Sequence, residues 1–364
     1  MYIHERDGWP KFNWNQEALT PVLTALRLRQ GRFLGKMEAL GFALRKTAEL
    51  ESRTIEALKT SEIEGEILAA NKIRSSIARR LGLDISGLVP SDRRVDGIVE
   101  VTLDATMRYA EPLTAERLFR WHAALLPGRD DITVGAWRTD KQGPMQVVSD
   151  SLSNPKVHYE APAAERLVAE MGAFLDWDAR ETTLDPILKA AVSHLWFVLI
   201  HPFDDGNGRI ARAIADRALA RSENSKRRFY SMSAQIRVDR GEYYRELEMT
   251  GKGDLDITSW LRWFLGCLDR AFDGAENSLA VVLRKDAFWK TRGGEALNPR
   301  QSLILNMLLD EFKGKMTTKK WAVLAKCSHD TALRDIQDLV TRKVLVQDEG
   351  GGRSTSYSLA PFGA

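Results

Sequence analysis

The residues best suited to chemistry lie in one short stretch, His201-Pro-Phe-Asp-Asp-Gly-Asn-Gly-Arg209, with Arg212 three residues further on. The stretch falls between an apolar segment ending at Ile200 and a helix expected to begin near Gly208. The first N–H groups of a helix have no partner within it and sit at a positive dipole end, so such a junction favours anions. Gly206 and Gly208 let a ligand come close to the backbone. Arg209 and Arg212 share a helix face, and two cations at that end oppose the dipole unless a polyphosphate or an acidic partner completes them. Asp205 would repel a phosphate unless a divalent cation bridges the two, and Mg²⁺ commonly takes one carboxylate together with phosphate oxygens. His201, with an ordinary pKa of about 6.5, suits removal of a proton from a hydroxyl that attacks phosphorus. Phe203 anchors the loop, and Asp204 reads as a solvated acid. A plainer reading stays open for the glycines and arginines taken alone: a turn flanked by solvated cations, with His201 as a helix cap.

Eight residues, His201, Phe203, Asp205, Gly206, Asn207, Gly208, Arg209 and Arg212, match the pattern H-x-F-x-D/E-G-N-G-R-x-x-R at every specified position, and in this the chain resembles the Fic family. The resemblance implies a helical core that binds ATP with Mg²⁺ and transfers AMP to a Ser, Thr or Tyr hydroxyl of a target protein, releasing pyrophosphate. It implies His201 as general base, Asp205 as the Mg²⁺ ligand, Gly206, Asn207 and Gly208 as a phosphate cradle, and Arg209 and Arg212 as partners of the β and γ end. Such in-line transfer needs mainly positioning and charge stabilisation, which agrees with the residue types present. Gly135-Ala-Trp-Arg138 is similar to the family's turn into a hairpin flap, whose edge would pair with an extended segment of the target. Tyr243 and Tyr244 resemble the family's paired aromatics near the nucleotide, although tyrosine pairs are more often core.

Thr60-Ser-Glu-Ile-Glu64-Gly65 resembles the inhibitory motif S/T-x-x-x-E-G/N of Fic proteins that regulate themselves through an N-terminal helix. The resemblance implies that Glu64 pairs with Arg212 and takes the space of a productive γ-phosphate. Glu62 and Glu66 read as ordinary surface charge. In some relatives the same glutamate aligns water to remove AMP, so removal stays an open alternative. In Doc-like relatives, which transfer phosphate, lysine replaces the second glycine of the loop; Gly208 here argues for AMP transfer. Another nucleotide or phosphodiester donor also stays open.

Positioning these residues falls to a mainly helical chain. Its 364 residues, 44% hydrophobic and 28% charged, suffice for two or three domains. Residues 1–89 form an N-terminal helical region, similar at Trp9, Phe12 and Trp14 to a domain of unknown function attached to some bacterial Fic proteins. It is helical from about Pro21 to Ala70, and residues 46–70 are its inhibitory helix. Residues 90–270 form the core, with helices over 99–109, 115–126, 163–177 and 185–200, a flap hairpin over 134–159 containing His158, and the active loop 201–212. Residues 271–296 are helix and linker. Residues 297–364 read as three helices followed by a hairpin with a glycine turn at 350–352, the plan of a winged helix. There Ser328–Val340 would be the recognition helix, with Arg334, Arg342, Lys343 and Arg353 toward phosphates. Asp330, Asp335, Asp338, Asp348 and Glu349 dilute that basic face, and DNA and protein both stay open as its partner. A DNA-binding regulator with the core as sensor is the competing reading of the whole chain.

No apolar run approaches the roughly 18 to 20 residues that cross a bilayer, and Met1–Trp14 is not signal-like. Cys267 and Cys327 have no metal-ligand spacing, so the expected home is a reducing cytoplasm with no membrane attachment. A net charge of +3 argues for no nucleic acid by itself. Self-modification and a homodimer complete the expectations.

Overall fold

The computed structural model describes residues 1–83, 87–141, 143–148, 156–292, 296–309, 312, 314–348 and 355–362. The expected turn at 149–155, part of the 271–296 linker, the glycine turn at 350–352, Glu349 and Arg353 lie outside the described residues. The chain forms two compact units, Met1–Glu276 and Asn277–Ala364. Residues 1–89 are therefore part of the first unit and not a unit of their own.

The first unit comprises α1 (Gln16–Glu38), α2 (Phe42–Ile63), α3 (Ala70–Arg80), α4 (Arg93–Met107), α5 (Ala115–Leu125), β1 (Gln146–Val148), β2 (Val157–Glu160), α6 (Leu167–Arg180), α7 (Pro186–Ile200), α8 (Asn207–Glu223), α9 (Met232–Val238), α10 (Arg240–Gly251) and the start of α11 (Thr258–Arg292). At its centre α7 packs along α8. The sequence of α7 is apolar on nearly every face, and all its residues except Pro186, Lys189 and Val198 are buried. Its start is set by Asp185, whose carboxylate accepts from the Ile187 N–H at 2.8 Å, with proline at the first helical position. Helix α5 buries Leu118, Trp121, His122 and Leu125, the spacing of one helical stripe.

The helical stretch expected from Pro21 to Ala70 is two helices. The first starts at Gln16, capped by Asn15 on the Ala18 N–H at 2.9 Å, and the second starts after Gly41. The helix expected over 46–70 corresponds to α2 and stops at Ile63, because Gly65 takes a left-handed φ of 82° that cannot continue it. Helix α2 is fastened at its middle by buried polar groups. Arg53 donates to Thr106 Oγ1 at 2.7 Å and to the Lys226 carbonyl at 2.5 Å. Glu56 accepts from Ser231 Oγ at 2.7 Å, from the Ser233 N–H at 3.1 Å and from the Ser233 hydroxyl.

The flap is an antiparallel pair with Gln146 opposite Glu160 and Val147 opposite Tyr159. Tyr159 is buried and donates its hydroxyl to the Leu199 carbonyl at 2.8 Å, which ties β2 to the last turn of α7. Near the N-terminus, Trp9 packs on Phe12 and Phe12 on Trp196 of α7, at centroid separations of 5.4 and 5.9 Å.

The second unit follows the end of α11 with α12 (Pro299–Leu309), β3 (Met316–Thr317), α13 (Thr318–Leu324), α14 (His329–Thr341), β4 (Leu345–Gln347) and β5 (Ser356–Leu359). Its three strands are antiparallel in the order β3-β5-β4. Its core gathers Phe288, Ile304, Leu305, Trp321, Ile336 and Leu339. Among the described residues no helix is long and apolar enough to cross a membrane.

Helices α4 and α5 approach closely at Gly97, where a Cβ would stand 1.8 Å from the Ala124 carbonyl oxygen. Backbone cannot yield as a side chain does. Gly97→Ala is expected to lower the unfolding free energy by about 3 kcal/mol, the upper range for overpacking, as read by urea denaturation.

Candidate active site

The loop begins where α7 ends. His201 caps that helix in the left-handed region, φ 50°, and its N–H still donates to the Phe197 carbonyl at 3.0 Å. Its Nδ1 lies 3.2 Å from the Val198 carbonyl, so Nδ1 carries the proton and Nε2 keeps a lone pair. Burial pushes its pKa down from 6.5 to about 4. The ring is therefore neutral at pH 7 and able to accept a proton.

Between His201 and α8 the main chain is fixed at several points. Phe203 is fully buried. The Asn207 side chain closes the loop on itself, accepting from the Phe203 N–H at 3.0 Å and donating to the Phe203 carbonyl at 2.7 Å. Gly206 caps α8 at φ 78°. Arg138 donates its N–H to the Pro202 carbonyl at 2.9 Å and its Nε to the His201 carbonyl at 2.8 Å. The Gly135–Arg138 turn thus clamps the loop. Asp204 accepts from the Thr133 N–H at 2.9 Å, and is a loop-to-loop tie and not the solvated acid expected.

His122 was not singled out by the sequence. Its Nδ1 accepts from the Gly135 N–H at 3.0 Å, so Nε2 carries the proton and donates to the Asp205 carbonyl at 3.1 Å. The ring also stacks on Phe203 with centroids 4.1 Å apart. Burial lowers its pKa, which keeps this tautomer neutral. One side chain thereby holds the loop and the start of the flap together.

Arg212 is buried, and α2 supplies its partners. Nε donates to Thr60 Oγ1 at 2.7 Å, and one terminal nitrogen donates to the Thr60 carbonyl at 3.0 Å and to Glu64 Oε1 at 2.7 Å. The other terminal nitrogen is buried with no partner among the described residues. A Cβ on Gly208 would lie 2.4 Å from Glu64 Oε1 and 3.1 Å from that unmatched nitrogen. Glu64 therefore rests directly on the bare backbone of Gly208. Arg209 has its own carboxylate, Glu66, at 3.2 Å, and stands 3.7 Å from Asp205. Glu66 is thus a partner of the loop and not the ordinary surface charge expected, whereas Glu62 pairs with Lys59 at 2.8 Å on α2. The sequence hides this role because Glu66 follows the helix end, where no periodicity assigns a direction.

Tyr243 and Tyr244 divide. Tyr243 is buried, with its hydroxyl 3.0 Å from His194 Nε2 and facing the Arg212 guanidinium as well. Tyr244 is 39% exposed, with the Arg240 guanidinium 5.3 Å from its ring centroid. His158 binds Glu248 of α10 at 2.7 Å.

The residues present fit a nucleotide with Mg²⁺. The unmatched Arg212 nitrogen beside Gly208 is a donor awaiting an anion. The Asp205 carboxylate is half-exposed, accepting from the Gly206 N–H at 2.6 Å and facing Arg129 at 3.3 Å and Arg209 at 3.7 Å. Among the described residues no three His, Cys, Asp or Glu gather as a metal cluster, so an ion on Asp205 would take its other ligands from phosphate oxygens and water.

A helical fold thus presents a base, a carboxylate and two arginines around a glycine-flanked helix start. Residues 112–219 match the Fic/DOC family, and the chain carries a Fic/DOC family domain. Residues 2–83 match a domain of unknown function (DUF4172). A protein of Nematostella vectensis named "Protein adenylyltransferase Fic" is 26% identical over 218 residues, covering 59% of this chain and 46% of that protein. One of Caenorhabditis briggsae, "Protein adenylyltransferase fic-1", is 26% identical over 266 residues, covering 70% and 45%. The chain therefore spans less than half the length of either relative. A crystal structure of a Fic family protein from Desulfovibrio desulfuricans G20 shares the fold, with a TM-score of 0.53 at 20% identity over 94% of this chain and 97% of that one.

The low pKa of His201 has a direct readout. Its ring resonances, followed by NMR from pH 7.5 downward, should stay mainly those of the neutral Nδ1–H tautomer to about pH 5, with the midpoint of protonation at about 4. A midpoint near 6.5 would mean that the ring is solvated and lacks the Val198 bond.

Proposed function

We propose that this chain is a protein adenylyltransferase that restrains itself: it transfers AMP from ATP to a Ser, Thr or Tyr hydroxyl of a protein, and Glu64 opposes the transfer. The observation that carries this reading is the pairing of a neutral His201, its Nε2 free of a proton, with Arg212, whose one unmatched nitrogen sits under Glu64 at Gly208. The names of the relatives, protein adenylyltransferases, point the same way.

In the proposed step the target oxygen forms a bond to the α-phosphorus as the bond from that phosphorus to the pyrophosphate oxygen breaks. The hydroxyl proton goes to His201 Nε2. Arg209 and Arg212 balance the charge of the departing pyrophosphate, and the first N–H groups of α8 offer donors to the phosphates. Asp205 would hold Mg²⁺, which when bound neutralises phosphate charge. Strand β1 pairs only with β2 among the described residues, so its other edge suits an extended target segment.

Restraint follows from the ion pairs. Glu64 and a γ-phosphate seek the same guanidinium and the same space over Gly208, where two anions repel one another. Glu66 does to Arg209 what Glu64 does to Arg212.

The test is label transfer from ATP labelled in the α-phosphate, with Mg²⁺, onto the protein itself and onto lysate proteins. Glu64→Gly should raise incorporation by about 5- to 150-fold, the range of a coupling free energy of ~1–3 kcal/mol. Adding His201→Ala should lower it again by about 10²- to 10⁴-fold. No incorporation by any variant, with ATP bound, would sink the reading.

A second comparison separates the two carboxylates. Glu64→Gly with Glu66→Gln should exceed Glu64→Gly alone in rate at subsaturating ATP, through a lower KM. Equal KM values would show that Glu66 only seats the loop after α2.

A further inference from the structure

The second unit has a face that AMP transfer does not use. It carries 14 lysines and arginines against 9 aspartates and glutamates, while the rest of the chain has 39 against 41. The chain's positive charge therefore resides in this unit.

Its element order sets α13 and α14 in succession, joined by a short turn, with the β4–β5 hairpin after them. Ser328 caps α14, its Oγ accepting from the Thr331 N–H at 3.2 Å. Helix α14 buries Ala332, Asp335, Ile336 and Leu339 on one side. The opposite side presents Asp330, Arg334, Gln337 and Thr341, all exposed and spaced as one stripe. Lys319 and Lys320 on α13, Lys326 in the turn, His329 at the start of α14 and Lys343 past its end are exposed as well.

The acids that seemed to dilute this face are mostly engaged elsewhere. Asp335 is buried and bound by Asn298 at 2.8 Å and by Arg300 at 2.8 Å. Asp338 accepts from Gln301 at 2.7 Å and from Arg342 at 2.9 Å. Asp348 accepts from Ser356 at 2.6 Å and Ser358 at 2.5 Å. Of the described acids in this group, Asp330 alone stands on the outward stripe.

We propose that α13 and α14 form a helix-turn-helix that binds double-stranded DNA, with the Arg334, Gln337 and Thr341 stripe of α14 in the major groove. The groove admits one α-helix, and its base edges are read by these side-chain types: arginine on guanine, glutamine on adenine, and a carboxylate such as Asp330 on cytosine. Lys319, Lys320, Lys326 and Lys343 meet phosphates, which supply affinity without sequence. Charge complementarity selects the occupant. A protein partner would be expected to meet an apolar centre, and this stripe has none.

The test uses the full-length chain and a fluorescent random-sequence DNA duplex of roughly 20 base pairs, about two turns of the helix. Anisotropy should show binding at low salt that falls steeply from about 50 to 200 mM, with a straight log–log slope. Lys319→Ala with Lys343→Ala should reduce that slope by about two, one for each lost phosphate contact. Arg334→Ala with Gln337→Ala should abolish the sequence preference recovered by selection from a random pool. Both pairs should leave the melting temperature and the label transfer of the Glu64→Gly chain unchanged. No duplex binding at low salt, binding indifferent to both pairs of substitutions, or tighter binding to an RNA duplex, whose major groove excludes side chains, would overturn the proposal.

Discussion

Burying a guanidinium is tolerated only when something nearby compensates its charge and its N–H groups, and Arg212, 3% exposed, sets that demand at the centre of the molecule. Thr60 and Glu64 answer it from α2 in the resting structure, leaving one nitrogen over. The closure of α2 over the α7–α8 junction follows from this need. An incoming polyphosphate would satisfy the same need from the other side. Under the proposed function, restraint and catalysis are then two ways of solvating one buried cation.

The remainder of the site holds main chain and not substrate. Asn207 braces the loop across itself, Arg138 grips it from the flap turn, and His122 spans the Asp205 carbonyl and the Gly135 N–H. None of these three offers a free charge. Their contribution is to fix in advance the directions of the N–H groups and of His201, so that little reorganisation is left for the moment of reaction. The Tyr159 bond to the Leu199 carbonyl extends this bracing to β2, just before the residue that would act as base.

Much of this was legible before the structure. The apolar continuity of 186–200 marks a central helix, and Asp185-Pro186 marks its start. Long-range pairing was legible only where a motif encodes it, as for Glu64 and Arg212. Glu66, Asp204 and His122 were not, because each owes its role to a backbone or side chain brought near by the fold. Glu66 and Arg209 lie 143 residues apart. The stretch expected to be helical from about Pro21 to Ala70 divides at Gly41, since a single glycine is a weak stop on composition alone. The orientation of acids in the second unit was equally hidden: an aspartate reads the same whether it faces water or an arginine.

Helix α2 is pinned by Arg53 and Glu56 well before it reaches Glu64, so it resembles a cantilever with a clamped root and a short loaded tip. Whatever withdraws the carboxylate has to bend or unwind the span beyond that clamp. Sliding the whole helix would tear out two buried polar anchors. Fraying the last turns spares both of them. Under the proposed function, the part of α2 free to move is therefore its last turns, beyond Arg53 and Glu56.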